Sequence, residues 1–146
     1  MTEFYIQLFK RDLEKLKDEL KGYENPEILW KVPPGINNSA GNLALHLIGN
    51  LKHFIGAILG DTGYKRNREA EFNDRDVPVD ILITEVDETI EVISSTLSEL
   101  PDNQLNSDYP VEVFGEPMKN SYFLLHLYGH LSYHLGQINY HRRLLS

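Results

Sequence analysis

Apolar residues recur at three- and four-residue steps along four long stretches of the chain, which is the spacing of amphipathic α-helices. The four predicted helices span approximately residues 2–22, 39–60, 78–100 and 120–145. No stretch alternates at period two for long enough to build a sheet. The pattern therefore predicts a single all-α domain over residues 1–146, folded as an up-down-type four-helix bundle with long connections.

The ends of these helices carry residues that are typical of helix boundaries. Thr2 and Ser39 are predicted to cap the first and second helices, and either Asn120 or Ser121 the fourth. Gly22 favours a stop after the first helix.

Three segments rich in turn-forming residues connect the helices. Residues 25–38 contain three prolines and are predicted to be mostly loop, with one short helical turn opening at residues 25–27. Residues 61–76 are strongly polar and are predicted to form a surface loop. Residues 102–117 are rich in turns, with a brief extended piece expected at residues 109–114.

Composition and charge exclude several classes of function. The chain has no cysteine, which rules out a disulfide framework, a thiolate metal site and a cysteine nucleophile. A net charge of −8 disfavours nucleic acid and anionic membranes as partners. No apolar run reaches the roughly 20 residues of a membrane span, and the N-terminus lacks the pattern of a signal peptide. We therefore expect a cytoplasmic protein.

Histidines are confined to the second and fourth predicted helices. They number six and are His46, His53, His126, His130, His134 and His141. Because each helical residue advances by about 100°, the four in the fourth helix share one narrow stripe with Gln137. His46, Asn50 and His53 cluster in the same way on the second helix. The stripe lies among apolar residues, where an imidazole without a partner costs about 1–3 kcal/mol. A metal ion would satisfy several rings at once.

His130 and His134 have the spacing of metal ligands, because side chains four residues apart on a helix are neighbours. A third ligand from a facing helix would complete a three-histidine site and leave one coordination position open. Neutral nitrogen donors suit zinc, nickel, copper or iron rather than magnesium or calcium. The H-x-x-x-H spacing alone is a weak signal, and it lacks the adjacent glutamate of a metalloprotease motif.

Other interpretations apply to the remaining polar residues. For His53, His126 and His141 we favour hydrogen bonding within the core. Gln137 and Asn50 are as well suited to tying helices together as to touching a ligand. A ferritin-like di-iron site needs inward-facing glutamates, and a haem needs histidines on its opposite faces. The fourth helix offers neither arrangement.

Two segments resemble a known superfamily. Residues 130–138 read His-Leu-Ser-Tyr-His-Leu-Gly-Gln-Ile, and residues 39–47 read Ser-Ala-Gly-Asn-Leu-Ala-Leu-His-Leu. The first resembles the H-x-x-x-H-x-G-Q helix of the DinB/YfiT-like metal-binding four-helix bundles, and the second resembles their second helix. The order and length of the helices agree over the whole chain. The loop at residues 60–72 is similar to that of an uncharacterised branch of the superfamily.

This resemblance implies a homodimer and one divalent metal ion held by His46, His130 and His134. Zinc and nickel are the first candidates for this ion. Characterised members include thiol-dependent transferases and isomerases that use bacillithiol, mycothiol or glutathione. In these enzymes the metal lowers the pKa of the cofactor thiol. Leu135 stands where relatives often carry arginine, which implies a different anionic thiol or substrate.

Two hypotheses for the function follow. In the first, the protein is an enzyme whose metal activates a low-molecular-weight thiol for transfer or water for hydrolysis. The sequence selects no general base, and Glu112, Glu116 and His126 are the candidates. In the second, the protein is a non-catalytic, metal-braced dimeric bundle or a stress-related binding module. A closed structural site needs a fourth protein ligand, for which His53 or His126 is available.

Overall fold

The structure, a computed structural model, describes residues 1–146, and all of its regular secondary structure is helical. Its α-helices are α1 (Thr2–Lys21), α2 (Ala40–Leu51), α3 (Arg68–Asn73), α4 (Val79–Ser98) and α5 (Asn120–Leu145). A π-helical segment, Lys52–Leu59, continues α2, and two 3-10 turns occupy Ile28–Trp30 and Asp102–Asn106. The predicted four-helix bundle is confirmed in its four long helices. The extended piece expected at residues 109–114 forms no strand, and one isolated bridge joins Asp108 to Lys119.

The core is one cluster of 27 buried hydrophobic residues drawn from all four long helices. In α1 the three- and four-residue spacing of Phe9, Leu13, Leu16 and Leu20 brings these side chains to one fully buried face. Helix α1 packs against α4 and α5, and α2 packs against α5 and α4. None of the helices combines the length and apolarity needed to cross a membrane. The packing of α2 on α5 places the two histidine-bearing helices side by side.

The predicted helix boundaries hold better than the predicted caps. The Ser39 side chain accepts a hydrogen bond from the Asn42 amide, as expected of an N-cap. Thr2 does not cap α1, because the helix already includes Thr2, whose amide donates to Asp102. Neither Asn120 nor Ser121 caps α5, which has Lys119 at its cap position. At the starts of α1 and α5, long-range hydrogen bonds to residues 102 and 107 take the place of the predicted caps.

Residues 61–76 are not simply the surface loop that their polarity predicts, because they include helix α3. The Asn67 side chain accepts a hydrogen bond from the Ala70 amide and so caps this helix. The Asn42 side chain of α2 donates to the backbone oxygens of Glu71 and Asp74. These bonds hold α3 against α2 and bury Glu71, a residue that the sequence pattern places in solvent.

Candidate metal centre

Three histidines from two helices meet in one cluster. Helix α2 supplies His46, and α5 supplies His130 and His134 one turn apart. One nitrogen of each ring lies within 4.8 Å of the others. Nε2 of His46 is 3.1 Å from Nε2 of His130, and the three rings meet edge to face. The structure therefore brings together all three residues that the sequence singles out as metal ligands.

A carboxylate fixes the orientation of the His46 ring. Nδ1 of His46 donates to Oε1 of Glu71 over 3.0 Å, which leaves Nε2 without a proton in the neutral ring. Arg66 donates to both oxygens of Glu71 through Nε and Nη2, each over 2.9 Å. Burial by itself raises the pKa of Glu71, but the hydrogen bonds from His46 and Arg66 outweigh it and lower that pKa. Such a carboxylate–histidine pair is typical of metal sites, where it sets the tautomer of the ligand.

Gln137 performs the same task for His134. Nδ1 of His134 donates to the side-chain oxygen of Gln137 over 2.7 Å, so Nε2 carries the free lone pair. The pKa of His134 is lowered by burial, against the opposing effect of the Gln137 hydrogen bond. Gln137 does not tie two helices together, because this hydrogen bond is to His134 of the same helix. Contact of Gln137 with a ligand stays a prediction.

The donor set fits a divalent transition metal ion. Two nitrogens bound tetrahedrally to one ion at about 2.0–2.1 Å lie about 3.3 Å apart. The 3.1 Å between the Nε2 atoms of His46 and His130 is close to that value, and the three nitrogens together, which lie within 4.8 Å of one another, would have to draw closer around an ion. Nδ1 of His130 is buried and has no hydrogen-bond partner. Burial, followed by the neighbouring His134 and His46, lowers the pKa of His130 to about 4. This ring is therefore neutral at physiological pH, the form in which imidazole binds metal.

The other three histidines stay outside the cluster. His141 is buried, with Nδ1 bonded to the Tyr23 hydroxyl and Nε2 to the Lys31 carbonyl, which confirms the expected core role. His126 is exposed and stacks on Phe123, so the predicted core role is wrong for this residue. His53 is half-buried against Phe54.

Neither candidate for a fourth ligand belongs to the cluster, because the His53 ring packs against Phe54 and the His126 ring packs against Phe114 and Phe123. The two glutamates proposed as general bases are also absent from the site. Glu112 and Glu116 are both exposed, and neither lines a cavity beside the histidines. In contrast, sequence reasoning missed Arg66 and Glu71. The available signal was Asn67, whose capping side chain marks the start of a helix that carries Glu71 four residues later.

Two cavities flank the cluster. A groove of about 660 Å³ lies on the His134 side, between α5 and the proline-rich loop at residues 33–38. A smaller cavity of about 250 Å³ is lined by His46 and His130 on the other side. Since no fourth side chain joins the three histidines, an ion held there would keep a position open to a small molecule.

The fold is similar to that of a solved structure. The crystal structure of a DinB-like protein from Bacillus cereus ATCC 10987 matches with a TM-score of 0.73 at 21% sequence identity. The match covers 97% of this chain and 91% of that chain. At this identity the likeness concerns the fold, and it confirms the DinB-like helical bundle that the sequence motifs predict.

The chain belongs to the family described as Protein of unknown function (DUF1572), whose model matches residues 2–146. This membership is consistent with the uncharacterised DinB-like branch that the loop at residues 60–72 resembles. No curated protein matches the chain.

Proposed function

We propose that the protein binds one divalent transition metal ion through His46, His130 and His134, with zinc and nickel as the first candidates. We further propose that the protein is an enzyme whose activity depends on this ion. The observation that supports this proposal is the convergence of three ring nitrogens within 4.8 Å with no fourth protein ligand. When bound, the ion would act as a Lewis acid that lowers the pKa of a thiol or of water. The reaction class is accordingly transfer from a low-molecular-weight thiol or hydrolysis.

The chain's own residues have defined tasks in this proposal. Glu71 holds His46 in the tautomer that presents Nε2, and Arg66 keeps Glu71 ionised. Gln137 holds His134 in the same way. We place the low-molecular-weight thiol in the groove on the His134 side, which has an apolar wall from Leu43 and Leu144.

Cobalt substitution tests the open position. Protein loaded with Co²⁺ should show the absorption of a cobalt–histidine site, and added 2-mercaptoethanol should add a sulfur-to-cobalt charge-transfer band. A cobalt spectrum that does not respond to thiol or to azide would indicate a closed site. That result would favour the alternative, in which the metal braces two helices without catalysis.

We also propose that the protein is a homodimer joined through α5. Tyr122, Leu125, Tyr133, Tyr140 and Leu144 are 55–78% exposed and follow one another along a single face of this helix. Gly129 and Gly136 lie on the same face, and a Cβ atom at either position would meet no neighbour. A second copy of the helix could approach closely across these glycines and cover the aromatic rings. Because Tyr133, Tyr140 and Leu144 also line the groove on the His134 side, the partner helix would form part of the wall of that groove.

A further inference from the structure

The smaller cavity beside the histidine cluster has an unusual charge pattern for this chain. It is lined by His46, Asn50, Arg66, Arg68, His126 and His130 on its polar side, and no carboxylate lines it. The protein as a whole carries a net charge of −8, so a cavity with two arginines and no acid stands apart from its surroundings. Such a lining attracts anions.

Of the two arginines, Arg68 is the one with uncompensated charge. Arg66 is paired with Glu71 at 2.9 Å. Arg68 is exposed and takes part in none of the ion pairs of the structure. Its guanidinium group lies over the Phe72 ring, 5.2 Å from the ring centre, which holds it at the rim of the cavity.

Asn50 supplies the second, independent observation. The side chain is only 7% exposed, yet its amide group forms no hydrogen bond to the protein, and Oδ1 is fully buried. A buried amide without partners destabilises a fold relative to an apolar side chain of similar branching. A buried polar group without a partner calls for an explanation, and because Asn50 lines the cavity, a ligand there would supply one.

The remaining walls limit the size and shape of that ligand. They are apolar and consist of Phe54, Val113, Phe114, Phe123 and Leu127. A volume of about 250 Å³ is just below the usual range of small-molecule sites, about 300–1,000 Å³. The cavity therefore suits a compact molecule with a flat apolar body and few polar groups.

We propose that this cavity binds a small organic carboxylate with a flat apolar body, paired with Arg68 and donating a hydroxyl or amide hydrogen to Asn50. The proposal deepens the proposed function, because such a ligand would lie against His46 and His130 and so define the substrate class of the site. Binding through Arg68 and Asn50 requires no metal, which allows the two proposals to be tested separately.

The probes are 3-hydroxybenzoate, benzoate and 3-hydroxybenzamide, titrated by calorimetry into zinc-free and zinc-loaded full-length protein. The wild type should prefer 3-hydroxybenzoate to both analogues. Arg68→Gln should weaken 3-hydroxybenzoate about tenfold and remove the preference over the neutral benzamide. Asn50→Leu should remove the preference over benzoate and leave the unfolding temperature equal or higher. Lys65→Gln, which removes an equal charge outside the cavity, should change nothing.

Several results would overturn the cavity proposal: equal binding of all three probes, equal affinity in Arg68→Gln, or loss of stability in Asn50→Leu. These results stand whether or not zinc binds, because each comparison is repeated in zinc-free protein. Failure of the metal proposal would appear instead as protein that takes up no zinc but still binds 3-hydroxybenzoate more tightly in the wild type than in Arg68→Gln.

Discussion

Nδ1 of His46 lies 3.0 Å from Oε1 of Glu71, and this bond joins two segments 25 residues apart in the chain. The other oxygen of Glu71 accepts from Arg66, so the carboxylate is ionised although it is buried. The pair turns Nε2 of His46 toward His130. The short helix α3, within the polar residues 61–76, thereby controls the geometry of the histidine cluster.

Replacing Glu71 should weaken metal binding. Glu71→Gln keeps the shape of the side chain but removes the charge that favours the Nδ1–H tautomer of His46. We expect zinc affinity to fall about 10- to 100-fold, the usual effect of losing a carboxylate behind a ligand histidine. Competition with a chromophoric chelator measures it. Glu69→Gln, an exposed neighbour on the same helix, is the control, and equal affinities in both variants would contradict the role of Glu71.

The close approach of Glu71 to α2 gives a second expectation. A Cβ atom at Gly49 would overlap the Glu71 carboxylate. Alanine favours helix over glycine by about 1 kcal/mol, so any net destabilisation of Gly49→Ala must come from that overlap. We expect lower stability together with weaker zinc binding. Gly41→Ala, whose Cβ would overlap the Trp30 ring away from the cluster, should lose stability but keep its zinc affinity. A Gly49→Ala variant with normal zinc affinity would count against this coupling.

Asp12 ties α1 to α5 independently of the metal. Its buried carboxylate accepts hydrogen bonds from Arg11, Tyr128 and Ser132 at 2.8–3.1 Å. Burial alone would raise the pKa of this carboxyl group, but the three hydrogen bonds outweigh burial and lower it. We expect Asp12→Asn to reduce the free energy of unfolding by about 1–3 kcal/mol at neutral pH.

The pH dependence of that loss has a definite sign. Because the pKa of Asp12 is lower in the folded than in the unfolded chain, its contribution is complete above the unfolded pKa of about 3.9 and declines as the pH falls further. Urea titrations of wild type and Asp12→Asn at about pH 7 and about pH 3 should therefore show a smaller difference at the acidic pH. A difference that grows on acidification would contradict the depressed pKa.

The exposed face of α5 leads to a prediction about assembly. Leu125 is 55% exposed and lies more than one helical turn from His130, the nearer residue of the histidine pair. Leu125→Glu should convert a dimer to a monomer in sedimentation equilibrium without loss of bound zinc. Ile81→Glu, at an exposed apolar position on α4, should leave the dimer intact. A wild-type protein that is monomeric at all concentrations would contradict the proposed interface.

The sequence predicts the helices and the three histidines because both depend on local spacing. Apolar steps of three and four residues locate α1, α4 and α5, and the i, i+4 pair His130 and His134 follows from helix geometry alone. His46 required the resemblance to a known second helix, since spacing within one helix does not reveal which residue faces it from another.

What the sequence does not predict depends on long-range contacts. The burial of Glu71 follows from bonds that Asn42, in another helix, makes to α3, and the Asn67 cap marks only the start of that helix. The missing caps also reflect long-range contacts. The amide of Thr2 donates to Asp102, and the side chain of Asn120 donates to the carbonyl of Gln104, so neither residue caps its own helix. The apolar surroundings of His126 on its helix predict a core position, but the structure leaves this residue exposed.

Metal content per chain tests the central claim most directly. Untagged wild type, His130→Ala, His134→Ala and the control His126→Ala are reconstituted with zinc, desalted and measured by elemental analysis. Binding by His46, His130 and His134 predicts about one equivalent in wild type and His126→Ala, and little or none in the other two variants. Wild-type protein without metal after reconstitution, or triad variants that retain a full equivalent, would show that these rings serve only the packing of α2 against α5.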